Sequence, residues 1–113
     1  MFCIIKSACL MGLSSVPVSV EVSASVGLPQ ETIIGLPDIV VKESKNRVKS
    51  ALNLSAFDFP AMAYTINLSP IDIQKKSTSL ELAIAVGLLT VTQQLSTSEN
   101  YCFLGSLSLD GSV

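Results

Sequence analysis

The sequence predicts an α+β fold, with elements in the order β-β-β-α-β-α-β. Apolar and polar residues alternate from 16 to 23 and again from 62 to 69, which is typical of strands with one buried face. Residues 38–54 carry apolar side chains at helical spacing, and residues 78–94 are apolar almost throughout. The second pattern indicates a helix covered on more than one side. We therefore expect a mixed sheet with helices packed on one of its faces.

The first part of the chain supplies three strands. We expect them at Phe2 to Leu10, at Pro17 to Ser25 and at Glu31 to Gly35. The middle strand has the clearest pattern, because its two faces differ in polarity. The predicted inner face carries Val16, Val18, Val20 and Val22, and the outer face carries Ser19, Glu21 and Ser23.

A tight turn and a helix start follow the third strand. Gly35 can adopt dihedral angles that other residues avoid. Pro37 has a helical φ and lacks an amide hydrogen that the first helical turn leaves unpaired, and Asp38 places negative charge at the positive end of the helix. We expect this helix to end near Leu54, with Glu43 and Arg47 forming an i,i+4 ion pair. Its buried stripe is predicted to comprise Val41, Ser44, Val48, Ala51 and Leu52.

The next two elements are a strand at Met62 to Ser69 and a second helix. A loop at Pro70 to Lys76 separates them. Thr78 and Glu81 have the spacing of a capping box, so we expect the helix to begin at Thr78 and to end near Gln94.

The last predicted strand covers Tyr101 to Leu109 and is followed by an Asp110-Gly111 turn. With the strand at 62–69 and the second helix it is expected to form a right-handed crossover unit. Gly87, in the middle of that helix, is expected to let a neighbouring element approach closely.

Composition excludes several function classes. The 113 residues fit one domain, and the net charge of −2 gives no overall basic field for nucleic acid. The sequence has no histidine, which excludes His-based catalysis and His-ligated metals. Cys3, Cys9 and Cys102 lack the spacing of a zinc site and suit a reducing cytoplasm. The longest strongly apolar run, Leu82 to Val91, is too short to cross a bilayer, so no membrane partner is expected.

Basic residues cluster at two places. Lys42, Lys45 and Lys49 recur at spacings of three and four, which lines them along one side of the first helix. They fit contact with a DNA phosphate backbone or an acidic partner, but a solvated helix face opposite the core is the favoured interpretation. Lys75 and Lys76 lie together in the loop before the second helix. The chain has no Walker phosphate-binding loop, so we expect no ATP hydrolysis and no cofactor in this chain alone.

Several short motifs occur in an order that resembles one family. They include Gly35-Leu-Pro-Asp with Val41-Lys-Glu-Ser, then Ile66-Asn-Leu-Ser-Pro-Ile-Asp, Leu82-Ala-Ile-Ala and Leu104-Gly-Ser-Leu-Ser-Leu-Asp-Gly. Together they resemble the amino-terminal domain of the Mg-chelatase-like AAA+ ATPases of the ComM/YifB competence group. The resemblance implies a Lon-protease/ribosomal-S5-like domain, truncated near its C-terminal end and lacking the AAA+ module. Residues 73–78 depart from the family's glycine-containing loop.

This resemblance implies a relation to hexameric AAA+ motors that act on DNA during uptake and recombination. The resemblance therefore implies DNA, an AAA+ module and neighbouring subunits as partners, with ATP and Mg²⁺ required by full-length relatives. The first hypothesis is a non-catalytic accessory domain of such an ATPase. A non-functional remnant of a truncated gene is a further alternative.

The resemblance to Lon proteases places Ser79 at the position of their catalytic serine. In Lon the base is a lysine in a later Gly-Gly-x-Lys-like segment, beyond the point where this sequence stops. The Ser-Lys dyad is therefore incomplete, and we expect Ser79 to be a polar residue in the first turn of the second helix. A vestigial Lon-type serine peptidase is the alternative hypothesis.

Overall fold

The computed structural model describes residues 1–11, 13–69, 78–96 and 100–113 of the chain. Four strands form one sheet: β1 (Phe2–Met11), β2 (Ser14–Ser25), β3 (Gln30–Ile34) and β4 (Ala63–Ser69). Along the chain, helix α1 (Asp38–Leu54) follows β3 and precedes β4. A 3₁₀ turn (Thr78–Leu80) leads into helix α2 (Glu81–Val91). The α+β class and six of the seven predicted elements are confirmed.

The sheet is mixed, with the spatial order β1-β2-β4-β3. β1 pairs with β2 and β2 with β4 in antiparallel orientation, whereas β3 and β4 are parallel. The parallel pair is connected through α1, so the crossover in the sheet is β3-α1-β4. The alternation in β2 behaves as predicted, since Val18, Val20 and Val22 are buried.

Both helices cover one face of the sheet. Buried side chains of β3 and β4, Ile33 and Ile66, line one small crevice together with Val48 of α1 and with Ile84 and Leu88 of α2. Nearly every residue of α2 is buried, as the sequence predicts. Gly87 explains how α2 comes so close to the sheet: a Cβ at this position would lie 2.5 Å from Cγ2 of Val22 on β2. The prediction of a close approach at Gly87 is confirmed.

The predicted strand at Tyr101 to Leu109 is wrong. This part of the chain makes one isolated parallel bridge, between Lys6 of β1 and Cys102. We call residues 103–109 the C-terminal strap, because alternate residues are hydrogen-bonded to different elements. The amide of Phe103 donates to the carbonyl of Lys6 at 2.9 Å, and Ser7 Oγ donates to the carbonyl of Phe103 at 2.7 Å. Further along, Ser50 Oγ on α1 donates to the carbonyl of Leu109 at 3.0 Å.

Helix α2 ends at Val91, three residues before the predicted end. The amide of Gln93 donates to Thr90 and that of Gln94 to Leu89, which are the two bonds of a Schellman motif. The φ angle of +63° at Gln93 is the left-handed conformation that this motif requires. Helix α1 ends in the same way, with Ala56 at φ +64°.

Candidate functional site

The candidate contact surface lies on α1, whose start is fixed by the turn after β3. Gly35 has a φ of +109°, and a Cβ there would lie 2.8 Å from the carbonyl oxygen of Leu68. Glycine is therefore required both by the backbone and by the neighbouring strand. Pro37 precedes the helix with φ −59° and ψ 147°, and its carbonyl accepts the amide of Val41 at 3.0 Å. Helix α1 thus begins at Asp38 as predicted, with Pro37 at the N-cap position.

The three predicted contact lysines of α1 have different surroundings. Lys42 is exposed and Lys45 is half-buried. The ammonium of Lys49 lies 3.0 Å from Oε1 of Glu31 on β3 and 5.8 Å from the centre of the Phe59 ring. Part of the Lys49 charge is therefore already balanced by a carboxylate. Lys42 and Lys45 are the lysines of this stripe that best fit a phosphate or acidic partner.

Arg47 belongs to the same basic helix but is directed into the domain. Its Nε donates to Oε2 of Glu81 at 2.7 Å, whereas the predicted partner Glu43 lies at 3.9 Å from Nη1. The side chain of Glu81 is 1% exposed, and its other oxygen, Oε1, accepts the amide of Leu107 at 3.0 Å. This carboxylate therefore joins α1, α2 and the C-terminal strap. The sequence indicated only the i,i+4 pair, because the Glu81 contacts join residues far apart in the chain.

The predicted capping box at Thr78 and Glu81 is wrong. Leu80 occupies the N-cap position of α2 and forms no side-chain capping bond. The Glu81 carboxylate is directed to Arg47 and to the strap, as described above. Instead, Gly105 of the strap accepts the Leu82 amide at 3.0 Å. The start of α2 is thus capped by a segment more than twenty positions later.

Ser79, the weak candidate nucleophile, lies in the 3₁₀ turn directly before α2, close to the predicted location. Its carbonyl accepts the amide of Gly105 at 2.9 Å, so the strap also holds this turn. In a serine peptidase, free amides near the nucleophile stabilise the oxyanion. The Leu82 amide at the start of α2 is already bonded to Gly105. The alternative hypothesis of a peptidase with Ser79 as nucleophile is not tested by this geometry.

The remaining predicted site residues, Lys75 and Lys76, lie outside the described residues. Within the part of the chain that the structure describes, no group of three or more Cys, Asp or Glu residues could hold a metal ion. The described cysteines, Cys3, Cys9 and Cys102, are free thiols. None of the described helices combines the length and the apolar character that crossing a bilayer requires.

These features define a small α+β domain in which a basic helix and a C-terminal strap pack on a mixed sheet. The family described as subunit ChlI of Mg-chelatase matches residues 20–113. The chain therefore belongs to this Mg-chelatase-like family, as the sequence predicts.

Individual relatives match almost the whole chain. YifB of Salmonella typhimurium is 41% identical over 112 residues, and the competence protein ComM of Haemophilus influenzae is 38% identical over 112 residues. Each alignment covers 97% of this chain and 22% of the relative. Rv2897c of Mycobacterium tuberculosis is 34% identical over 109 residues, which is 95% of this chain and 22% of that protein. The chain thus spans about a fifth of the length of these relatives.

Proposed function

We propose that this chain acts as a non-catalytic, Lon/S5-like accessory domain of a ComM-like, Mg-chelatase-related ATPase in the cytoplasm. The observation that carries the proposal is the 38% identity to the competence protein ComM over 97% of the chain. Its role would be to position DNA, or neighbouring subunits of an assembly, during DNA uptake and recombination. ATP and Mg²⁺ would be used by the ATPase module of the whole protein.

The geometry of α1 supports a positioning role. Lys42 is exposed and Lys45 is half-buried, and their spacing places both on one side of the helix. A protein that neutralises phosphates releases counterions, so its affinity falls as salt rises. Two lysines on a chain with a net charge of −2 would give weak binding, with a slope of log K against log salt of about −1.8.

Fluorescence anisotropy with a labelled DNA duplex tests this role. We expect salt-sensitive binding by the unmodified chain. The Lys42→Glu variant should bind more weakly, with the slope of log K against log salt reduced by about one per lost phosphate contact. Lys6→Glu makes the same change of charge on the exposed surface of β1 and serves as the matched control. Equal losses in the two variants, or no salt-sensitive binding at all, would contradict the proposed DNA contact.

The non-catalytic assignment has its own test. Because the Leu82 amide is bonded to Gly105, we expect no labelling of the chain by a fluorophosphonate probe. The Ser79→Ala variant serves as the comparison. Labelling that disappears in this variant would overturn the assignment in favour of a Lon-type peptidase.

A further inference from the structure

Helix α1 carries four exposed polar side chains along one line. They recur at spacings of four, three and four, which places them on the same side of the helix. We call this line the α1 ridge; it comprises Lys42, Asn46, Lys49 and Asn53. The two lysines of the ridge are about 10 Å apart along the helix axis, which matches the axial rise of about three phosphates of one DNA strand. By position alone, Lys49 should extend the phosphate contact proposed for Lys42.

A carboxylate from the sheet is bonded to the Lys49 ammonium. Oε1 of Glu31 on β3 lies 3.0 Å from Nζ of Lys49, and the centre of the Phe59 ring lies 5.8 Å from the same nitrogen. The carboxylate and the aromatic face both attract a cation, so they hold the ammonium on the β3 side of α1. Among the ion pairs between described residues, none includes Lys42. The two lysines of the ridge therefore differ in how freely they can meet a phosphate.

Glu31 has an advantage over a phosphate in the competition for Lys49. Its side chain is 18% exposed, whereas that of Lys49 is 50% exposed, so the carboxylate is the less hydrated member of the pair. Moving the ammonium to a phosphate would leave this partly buried carboxylate without its counter-charge. The carboxylate is also fixed on β3 beside the lysine, whereas a phosphate must be brought from solution and ordered there. These differences favour the intramolecular pair.

We propose that Glu31 acts as an internal competitor for DNA, because its ion pair with Lys49 withholds one phosphate contact from the α1 ridge. This inference rests on the proposed function, since it takes DNA as the partner of α1. The unmodified chain contacts phosphates through Lys42 and Lys45, while Lys49 stays with Glu31. Removal of the carboxylate charge releases Lys49 to a phosphate and increases the number of contacts by one. Glu31 thereby sets the affinity of the DNA contact without touching DNA.

The salt dependence of binding by the full chain counts these contacts. In fluorescence anisotropy with the labelled duplex, the slope of log K against log salt changes by about 0.9 for each phosphate contact. We expect Glu31→Gln to bind about two- to five-fold more tightly than the unmodified chain. Its slope should be about −2.7 in place of about −1.8.

A cycle of variants assigns this gain to Lys49. Lys49→Gln should leave the slope of the otherwise unmodified chain unchanged, because the ammonium is already engaged by Glu31. In the double variant with Glu31→Gln and Lys49→Gln, the slope should return to about −1.8. A contact that Lys49 makes only when the Glu31 charge is absent gives this non-additive result.

Glu43→Gln is the matched control for the loss of one negative charge. The Glu43 side chain is 55% exposed on α1, and its carboxylate lies 3.9 Å from Nη1 of Arg47, which is directed into the domain. This variant changes the net charge by the same amount as Glu31→Gln but releases no lysine of the α1 ridge. Its slope should therefore stay at about −1.8. Circular dichroism melts establish that each variant is folded.

The outcomes separate the role of Glu31 from the proposed function. Salt-sensitive binding by the unmodified chain, with equal slopes in Glu31→Gln and Glu43→Gln, would overturn the role of Glu31 and leave the DNA contact standing. A shallower slope in Lys49→Gln alone would also overturn it, because Lys49 would then contact DNA in the presence of Glu31. No salt-sensitive binding by the unmodified chain or by Glu31→Gln would overturn both.

Discussion

The substitution Glu81→Gln is the sharpest test of how this domain is held together. Glu81 accepts hydrogen bonds from two donors, Arg47 Nε at 2.7 Å and the Leu107 amide at 3.0 Å. Glutamine has the same shape but offers one acceptor oxygen and one donor group, so one of the two partners would face a donor. The change also leaves the guanidinium without its buried counter-charge.

The expected loss follows from the burial of the two partners. Removing one member of a fully buried ion pair costs about 3–5 kcal/mol. Arg47 is 28% exposed and keeps Glu43 at 3.9 Å, so water and that carboxylate would compensate part of this loss. A charge-assisted hydrogen bond to the strap, worth about 1.5–3 kcal/mol, is weakened as well. We expect the free energy of unfolding to fall by about 3 kcal/mol, and the melting temperature by about 10 °C.

Urea denaturation followed by circular dichroism measures the free energy of unfolding. Glu43→Gln makes the same chemical change at the exposed neighbour of Arg47 and should cost less than about 0.5 kcal/mol. Hydrogen exchange at the Leu107 amide should accelerate in Glu81→Gln more than exchange in β2 does. If Glu81→Gln and Glu43→Gln have the same small effect, the buried carboxylate does not hold the strap and the reasoning is wrong.

Three further predictions concern other parts of the domain. Gly87→Ala should destabilise the domain by about 1–2 kcal/mol, because overpacking against Val22 outweighs the gain in helix propensity. Urea denaturation should show that the double variant with Val22→Ala loses less free energy of unfolding than the sum of the two single losses. Ala56→Gly should raise the melting temperature through a gain of about 0.5–1 kcal/mol, since it relieves a left-handed φ; a lower melting temperature would contradict this. Burial, and secondarily the Glu31 charge, raise the pKa of Tyr64, so its contribution to stability is present below about pH 10 and is lost as the pH rises through the higher folded value. Alkaline unfolding curves should therefore be flatter for Tyr64→Phe than for the unmodified chain.

Local patterns predicted most of the fold because they report on single elements. The valine alternation in β2 and the apolar stripe of α1 each depend on which face is buried, and both faces are as expected. The family was also predictable, since the order of several weak motifs along the chain is specific even when each motif alone is not.

The misplaced features depend on contacts between distant positions or on unusual backbone angles. The last segment alternates like a strand, but its alternate hydrogen bonds go to β1, to the start of α2 and to α1. Helix α2 ends without a glycine, so the sequence carried no stop signal at Gln93. Lys49 was assigned to an open basic face because its partner, Glu31, lies on a different element.

The strap also affects how the domain forms on the ribosome. The Ser7–Phe103 bond joins positions 96 residues apart, and the Leu82 amide in the first turn of α2 is bonded to the Gly105 carbonyl. Contacts between such distant positions form late in folding, after shorter loops have closed. During synthesis the sheet and α1 can therefore assemble first, while the start of α2 lacks this contact until residues 103–109 leave the exit tunnel. A premature stop before residue 105 would leave a nearly complete core with an uncapped helix, the kind of intermediate that chaperones and proteases recognise.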